Sequence, residues 1–176
     1  GERAETVTAV LVFDLDRFKQ INDRFGPPVG DRVLQLFVVV ARGELRTCDL
    51  LGRIGGEEFA AFLPGCDADQ ALRIGERVRQ RFADAARQAA LKDFLPTVSV
   101  GVAMSSDAAD SSALIIEADR AVYRAKKAGR NCVRGAEASS QGEVTSLPDK
   151  ETVTVVPQPV SSRQPTVYHA AVTSVP

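Results

Sequence analysis

The sequence predicts an α/β domain, and three observations lead to that fold class. Residues 7–14 form a continuous apolar run, which is typical of a buried strand. Residues 31–42 and 68–86 carry apolar side chains at the three- and four-residue spacing of amphipathic helices. A pair of adjacent glycines, Gly55 and Gly56, stands between two short apolar runs, a pattern that predicts a hairpin.

The strands of this hairpin are predicted over residues 49–54 and 58–63, where the chain runs out to the glycine pair and back again. Pro64, followed by glycine, ends the second of them. A further strand is predicted over residues 97–103, because valine at every second position alternates there with Thr, Ser and Gly. That period of two is the pattern of a half-buried strand.

The last part of the domain and the tail are separated by a change in composition. A helix is predicted over residues 111–127, capped by Asp110 and closed by Gly129, and a short strand over 131–134. Residues 135–176 are rich in Ser, Thr, Val, Gln and Pro, which is typical of a disordered tail. We therefore predict a domain over residues 1–134 and a tail over 135–176. The alternative is that the run at residues 153–156 pairs with an exposed sheet edge.

The predicted hairpin carries charge at its tip, since residues 55–59 read Gly-Gly-Glu-Glu-Phe. We expect the glycines to permit a tight turn with positive φ and the close approach of a bulky anion. Glu57 and Glu58 would repel each other unless a divalent cation lay against them, and Mg²⁺ binds oxygen ligands and shares its coordination with substrate phosphates. Asp14 and Asp16, at the end of the first strand, supply a second acidic group. The alternative is an ordinary turn with solvated glutamates.

Composition restricts the classes of function. The chain has 22 basic and 23 acidic residues and a net charge of −1, so no global field attracts nucleic acid or an anionic membrane. Cys48, Cys66 and Cys132 lack metal-ligand spacing, which predicts reduced, buried or half-buried thiols in a reducing compartment. The only histidine, His169, lies in the predicted tail, so histidine chemistry is excluded from the domain. No apolar run approaches the roughly 20 residues that span a bilayer.

Five motifs occur in one order and together resemble the GGDEF-type diguanylate cyclase domain, in its GGEEF form. They are residues 13–23 (Phe-Asp-Leu-Asp-Arg-Phe-Lys-Gln-Ile-Asn-Asp), 30–31 (Gly-Asp), 53–59 (Arg-Ile-Gly-Gly-Glu-Glu-Phe), 97–101 (Thr-Val-Ser-Val-Gly) and 118–131 (Ala-Asp-Arg-Ala-Val-Tyr-Arg-Ala-Lys-Lys-Ala-Gly-Arg-Asn). The resemblance covers about residues 8–134. It implies a central mixed, mainly antiparallel sheet flanked by helices, the palm-like fold of nucleotidyl cyclases.

The resemblance implies that two GTP molecules, each held by one protomer of a homodimer, are condensed to cyclic di-GMP with release of pyrophosphate. It implies that Asp14, Glu57 and the backbone carbonyl of Leu15 hold two Mg²⁺ ions per site, with Mn²⁺ as an alternative metal. Glu57 is also the candidate for taking the 3′-hydroxyl proton, and Glu58 is a secondary ligand or orienting group. Asp16 is a weaker candidate for metal binding, and a structural role is equally compatible with its position.

The same resemblance implies contacts to the rest of the substrate. Asn22 and Asp31 would read guanine, although a turn at the end of one helix and the cap of the next are the alternatives for these two positions. The β- and γ-phosphates would be held by a set of cationic side chains and backbone amides: the side chains of Lys19, Lys126 and Arg130 and the amides of Arg17 and Phe18.

Residues 46–49, which read Arg-Thr-Cys-Asp, resemble the family's inhibitory product site. There Arg46 and Asp49 would bind cyclic di-GMP, and Arg77 on the following helix matches a further position of that site. An ordinary surface ion pair is the alternative.

Two departures from the family pattern are apparent. The chain begins after the position of an extra amino-terminal helix with the signature Asp-x-Leu-Thr-Gly-Leu-x-Asn-Arg-Arg, and residues 25–28 read Phe-Gly-Pro-Pro where the family has Phe-Gly-His. Pro27 fixes φ and removes a donor between the proposed guanine ligands. We expect a cytoplasmic diguanylate cyclase with feedback inhibition and no nucleic-acid or direct membrane contact. The alternative is a catalytically weak or inactive module that binds GTP or cyclic di-GMP.

Overall fold

The structure, a computed structural model, describes residues 7–89, 94–105 and 111–136, and the backbone of 153–155 and 168–172. Its helices and strands, in chain order, are β1 (Thr8–Leu15), α1 (Phe18–Phe25), α2 (Pro27–Glu44), β2 (Leu50–Arg53), β3 (Glu58–Pro64), α3 (Ala68–Gln88), β4 (Val98–Ser105), α4 (Ser111–Lys127), β5 (Val133–Gly135), β6 (Val153–Val155) and β7 (Tyr168–Val172). The predicted elements are all present, with ends that differ by at most four residues.

The sheet is mixed and mainly antiparallel, which confirms the predicted fold class. Strand order is β5-β4-β1-β3-β2-β7-β6. The central strand β1 pairs antiparallel with β3 and β4, β2 pairs antiparallel with β3, and β5 lies parallel to β4. At the far edge β7 runs parallel to β2, and β6 pairs antiparallel with β7. The run at 153–156 therefore contributes β6, whose described partner is β7, while the division into domain and tail at residue 134 stays a prediction.

Helices cover both faces of the sheet, so β1 is buried on both sides. On one face Leu11 and Phe13 join a core with α2 and α3, in which the Phe37 ring lies 5.4 Å from that of Phe13 and 4.8 Å from that of Phe59. On the other face Val10 packs with residues of α4. Burial on two faces explains the continuous apolar run of β1, because every position of the strand after Thr8 is buried.

The prediction that β4 is half-buried was wrong. Ser99 is fully buried, and so is Gly101. A Cβ on Gly101 would lie 1.9 Å from the carbonyl oxygen of Ala118 and 2.6 Å from the amide nitrogen of Val122. The glycine thus lets α4 approach the sheet backbone directly, and the polar alternation of β4 reflects this close packing instead of exposure to water.

The segment between β1 and α2 also differs from the prediction. Helix α1 was not predicted, and α2 begins at Pro27, four residues before the predicted start at 31. Pro27 occupies the first helical position, where a missing N–H costs no hydrogen bond, and Gly26 links the two helices with φ 84°. Asn22 therefore lies inside α1 and Asp31 inside α2, so the turn and cap alternatives are wrong.

Two compositional predictions can be compared with the described residues. The three cysteines are free, but Cys48 is exposed, so the predicted burial holds only for Cys66 and Cys132. In the described part of the chain, no helix combines the length and apolar character needed to cross a bilayer. The predicted cap Asp110 lies outside the described residues.

Candidate functional site

The end of β1 and the β2–β3 hairpin bring the predicted acidic residues together. Asp14 is paired with Glu58 in the register of β1 and β3. The backbone N–H of Leu15 donates to the carbonyl oxygen of Glu57 at 3.1 Å. The three predicted metal ligands, Asp14, Leu15 and Glu57, thus belong to one small region, with Glu58 beside them.

Asp14 is a buried carboxylate whose hydrogen bonding is incomplete. It is 6 % exposed, and its Oδ2 lies 2.6 Å from Nζ of Lys126. Its Oδ1 is buried and has no hydrogen-bond partner. Burial raises the pKa of Asp14 above its usual value, and the hydrogen bond and charge of Lys126 only partly oppose that shift. Such a group gains from a second cation, because a buried oxygen without a partner costs free energy.

The pKa of Glu57 is shifted in the same direction as that of Asp14. Burial raises its pKa above the usual value, and the charge of Asp14 raises the pKa further, while Lys126 lowers it. Two carboxylates that disfavour each other's ionisation are typical of a site that accepts a divalent cation or a proton.

The donor set fits Mg²⁺ when a substrate completes it. Among the described residues no group of three or more His, Cys, Asp or Glu side chains is gathered closely enough to hold a metal ion. The site instead offers Asp14 and Glu57, backbone carbonyls, and the unpartnered Oδ1 of Asp14. Mg²⁺ is commonly bound by one or two carboxylates together with substrate phosphates, so this set fits the metal.

Neither glycine at the hairpin tip supplies positive φ, so that expectation was wrong, and small size is required only at Gly55. Neither Gly55 nor Gly56 is among the glycines with positive φ. A Cβ on Gly55 would lie 2.5 Å from Oε2 of Glu58, whereas one on Gly56 would meet open space. Sequence reasoning missed Arg53, which donates to the carbonyl oxygens of Gly55 at 3.1 Å and Gly56 at 2.5 Å and thereby holds the turn. Its position inside the 53–59 motif was the available signal.

The proposed guanine ligands lie on two packed helices. Asn22 is half-buried, and its Oδ1 is buried with no hydrogen-bond partner. A Cβ on Gly30 would lie 1.8 Å from that oxygen, so the amide rests directly on the backbone of α2. Asp31, the next residue along α2, is exposed. The two helices therefore carry an amide and an exposed carboxylate at adjoining positions, and the amide NH₂ as donor with the carboxylate as acceptor would suit recognition of a flat polar base.

The predicted phosphate contacts divide into two groups. Lys126 lies in the last turn of α4, next to Asp14, and Arg130 follows in a turn where its own φ is 66°. Helix α1 begins across a cavity of about 440 Å³, which is lined by both Arg17 and Arg130. The first backbone amides of this helix include that of Phe18. Lys19, in contrast, is 84 % exposed and donates to Asp23 at 2.8 Å. The described contacts thus do not join Lys19 to Lys126.

Two of the residues predicted for an inhibitory site, Arg46 and Arg77, line a second cavity. This cavity, of about 140 Å³, is lined by Glu44, Arg46, Gln70, Arg73, Ile74 and Arg77. Arg77 Nε donates to Glu44 Oε2 at 2.9 Å. Asp49 is 2 % exposed, and its Oδ2 accepts from the backbone N–H of Arg46 at 2.7 Å, so this oxygen closes its own turn. Arg46 and Arg77 are brought together as predicted, and Arg73 is an arginine of this cavity that the sequence prediction missed.

These features define a nucleotidyl-cyclase-like site: an acidic hairpin beside a buried aspartate, with cations at the end of a neighbouring helix. The family described as "Diguanylate cyclase, GGDEF domain" matches residues 2–132. The chain belongs to this GGDEF diguanylate cyclase family.

Relatives and solved structures agree with that assignment. The chain is 40 % identical over 134 residues to the Response regulator PleD of Caulobacter vibrioides, covering 74 % of this chain and 29 % of that protein. It is 40 % identical over 131 residues to the Diguanylate cyclase TpbB of Pseudomonas aeruginosa, covering 73 % of this chain and 30 % of that protein. The chain thus spans about a third of the length of such curated relatives.

Among solved structures, the GGDEF domain of DgcB from Caulobacter crescentus in complex with c-di-GMP superposes with a TM-score of 0.69 at 31 % identity. That comparison covers 76 % of this chain and 80 % of the DgcB chain. The palm-like cyclase fold that the sequence predicted is therefore confirmed.

Proposed function

We propose that this chain is the catalytic domain of a diguanylate cyclase of the GGEEF form, which condenses two GTP molecules to cyclic di-GMP and pyrophosphate in the cytoplasm. One observation carries the proposal: Asp14, at the end of the central strand, has an unpartnered buried oxygen next to a glycine hairpin that carries Glu57. A purely structural domain would not keep a buried carboxylate oxygen without a hydrogen-bond partner.

Asp14, Glu57 and the carbonyl of Leu15 are the residues that would hold Mg²⁺, or Mn²⁺, with two ions per site. When bound, the metal would supply Lewis-acid stabilisation of charge on the phosphates and on the attacking hydroxyl. Glu57 is the group proposed to receive the 3′-hydroxyl proton, and Glu58, packed over Gly55, orients the turn or adds a ligand.

The remaining residues of the proposal hold the nucleotide. Asp31 would accept from N1–H and the exocyclic amine of guanine, while the Asn22 amide would donate to ring acceptors. Lys126, Arg130 and the amides of Arg17 and Phe18 would hold the phosphates, because cations and the free N–H groups at a helix start both favour anions. Lys19 joins this set only by exchanging its contact with Asp23 for a phosphate oxygen.

Condensation requires two GTP molecules to face each other, so the proposed active species is a homodimer of this domain. The chain supplies one nucleotide site, and alignment of two such sites contributes most of what a phosphoryl transfer needs. Specific activity should therefore rise with protein concentration in the range where protomers associate.

The test is turnover of GTP with Mg²⁺, read as cyclic di-GMP and pyrophosphate by chromatography. Glu57→Ala and Asp14→Ala should each abolish product formation while the circular dichroism spectrum is retained. Asp84→Ala, which removes an exposed carboxylate paired with Arg87, is the matched control and should leave turnover unchanged. Turnover by either site variant at the wild-type rate would refute the metal assignment.

The second part of the proposal is feedback inhibition by cyclic di-GMP at the cavity lined by Arg46 and Arg77, with Asp49 in the turn that carries Arg46. Three arginines line this cavity, with Arg73 as the third, which suits a ligand with two phosphates. Arg46→Ala should weaken cyclic di-GMP binding by about tenfold or more, the effect of losing a charge-assisted contact of about 1.5–3 kcal/mol. GTP affinity should stay unchanged, and accumulated product should rise.

Calorimetry with cyclic di-GMP on Arg46→Ala, with Arg87→Ala as the exposed-arginine control, decides this part. Unchanged affinity in Arg46→Ala would remove the inhibitory site from the proposal without affecting the catalytic part. The alternative of an inactive binding module rested partly on Pro27, and Pro27 simply begins α2. Binding of either nucleotide with no turnover at any protein concentration would favour that module.

A further inference from the structure

Asp16 directly follows β1, two residues after Asp14, yet its hydrogen-bonding environment is the opposite. It is 5 % exposed, and three protein donors hydrogen-bond to its carboxylate. Oδ2 accepts from the hydroxyl of Thr97 at 2.7 Å and from the backbone N–H of Asn131 at 3.0 Å. Oδ1 accepts from the hydroxyl of Ser99 at 2.7 Å. Each oxygen is therefore occupied by protein groups, which leaves Asp16 poorly suited to bind a metal.

The Asn131 donor belongs to a turn that needs support. Gly129, Arg130 and Asn131 have φ values of 111°, 66° and 46°, three left-handed residues in succession. Non-glycine residues in this region cost free energy and persist only where other contacts impose the conformation. The backbone N–H of Asn131 donates to Asp16, and its side-chain Oδ1 accepts from Arg79 at 2.9 Å. The turn is thus pinned at Asn131 from two sides.

The pinned turn contains one proposed phosphate contact and follows the other. Arg130 is inside it, and Lys126 lies three residues before Gly129. The carbonyl oxygen of Lys126 accepts a hydrogen bond from the backbone N–H of Gly129 at 3.3 Å. Asp16 also ties the start of β4 to the end of β1, because its backbone N–H donates to the carbonyl oxygen of Thr97, the residue before β4, at 2.9 Å. The carboxylate therefore joins the strand that carries Asp14 to the turn that carries Arg130.

We propose that Asp16 is a positioning residue for the phosphate-binding cations, which fixes the 129–131 turn so that Arg130 and Lys126 face the end of β1. The inference rests on the proposed function in its assignment of these two cations to the phosphates. It replaces the metal-ligand alternative for Asp16. Its role depends on the hydrogen-bond acceptors of the carboxylate and not on its charge.

This distinction makes Asp16→Asn the decisive variant. With its amide oxygen in the place of Oδ2, the asparagine can accept from both Thr97 and Asn131, and its NH₂ group can donate to the Ser99 hydroxyl, which is able to rotate. Asparagine therefore preserves the junction, whereas alanine removes it. A metal ligand would behave differently, because a neutral amide is a much poorer ligand for Mg²⁺ than a carboxylate.

The experiment compares Asp16→Ala, Asp16→Asn and Thr97→Val with the wild type, well below their melting temperatures. Thr97→Val is the matched control, because it removes one bond to Oδ2 and leaves that of Asn131. Amide hydrogen exchange at Asn131 and the affinity for GTP with Mg²⁺, measured by calorimetry, are the readouts. We expect Asp16→Ala to accelerate the exchange, and to weaken GTP binding, by about tenfold each, the upper end of the usual effect of losing a hydrogen bond. Asp16→Asn and Thr97→Val should stay within about threefold of the wild type in both.

Three outcomes would overturn the inference. Loss of activity in Asp16→Asn with a higher Mg²⁺ requirement would make Asp16 a metal ligand. A lower melting temperature of Asp16→Ala with unchanged GTP affinity would make its role purely structural. Unchanged exchange at Asn131 in Asp16→Ala would show that the turn does not depend on Asp16. Failure of the proposed function looks different: the wild type would form no cyclic di-GMP, while exchange at Asn131 would still report on the junction.

Discussion

Gly30→Ala should separate recognition of the base from stability of the fold. A Cβ at this position would lie 1.8 Å from Oδ1 and 2.9 Å from Cγ of Asn22, and 3.2 Å from Cζ of Phe18. The first two distances are too short, so the Asn22 amide must rotate away. The amide is the end of a flexible side chain, which means that it can move without displacing the backbone of α1.

The magnitudes have opposite signs. Alanine in place of glycine inside α2 gains about 0.5–1 kcal/mol of helix stability. Turning the Asn22 amide away and tightening the contact with Phe18 costs a similar amount of free energy, which offsets this gain. The free energy of unfolding should therefore stay within about 1 kcal/mol of the wild type. Loss of the proposed amide contact to guanine should cost about 1.5–3 kcal/mol, roughly ten- to hundredfold in GTP affinity. ATP binding should change much less, because adenine does not present the same edge.

The assay is calorimetry with GTP and with ATP, together with urea denaturation. Gly43→Ala is the matched control on the same helix, because a Cβ there meets nothing within 4 Å. It should stabilise the protein by about 0.5–1 kcal/mol and leave both affinities unchanged. If Gly30→Ala binds GTP as tightly as the wild type, with the same preference over ATP, Asn22 does not read guanine.

Two further predictions concern stability. Burial raises the pKa of Asp14 above 3.8, so the folded protein favours the protonated carboxyl. The stabilisation that the protonated form contributes is therefore fully present below pH 3.8 and is lost as pH rises through the folded pKa. In metal-free buffer at pH 7, Asp14→Asn should therefore be more stable than the wild type in urea, and the difference should vanish as pH falls below that range; lower stability of the variant at pH 7 would contradict the shift. Gly101→Ala should destabilise by about 3 kcal/mol or more, since its Cβ would meet the carbonyl oxygen of Ala118 at 1.9 Å and push α4 outward. Gly56→Ala, whose Cβ meets open space, is its control, and equal urea midpoints for the two variants would show that α4 moves freely.

The fold could be predicted because its strong signals are local. The run of β1, the hairpin around the glycine pair and the periodicity of α3 each depend on neighbouring residues, and each was predicted to within two residues at its ends. Helix α1 was missed because it has only eight residues, of which Phe18 and Ile21 are buried, too few to show a period. The start of α2 was misplaced because a proline in a loop and a proline at the first helical position look alike in sequence.

The site was predicted less completely, because its geometry depends on distant partners. Asp14 and the hairpin could be found from their acidity, but the donors to Asp16 are 81, 83 and 115 residues away. The turn around Gly55 and Gly56 was given the wrong φ, since a glycine required for space and a glycine required for left-handed backbone have the same letter. Only the contact with Glu58 distinguishes the two reasons.

The two aspartates at the end of β1 show how a fold leaves one position open for chemistry. Asp16 is held by three donors on two segments, so its burial is compensated and its place is fixed. Asp14 is equally buried but keeps one oxygen without a partner, and the ion pair with Lys126 does not cancel its desolvation. Replacing Asp16 by asparagine should therefore have little consequence. The same replacement at Asp14 should stabilise the protein and remove its capacity to bind a cation at this position. A stabilising substitution that removes function is the expected mark of a residue kept for its ligand and not for the fold.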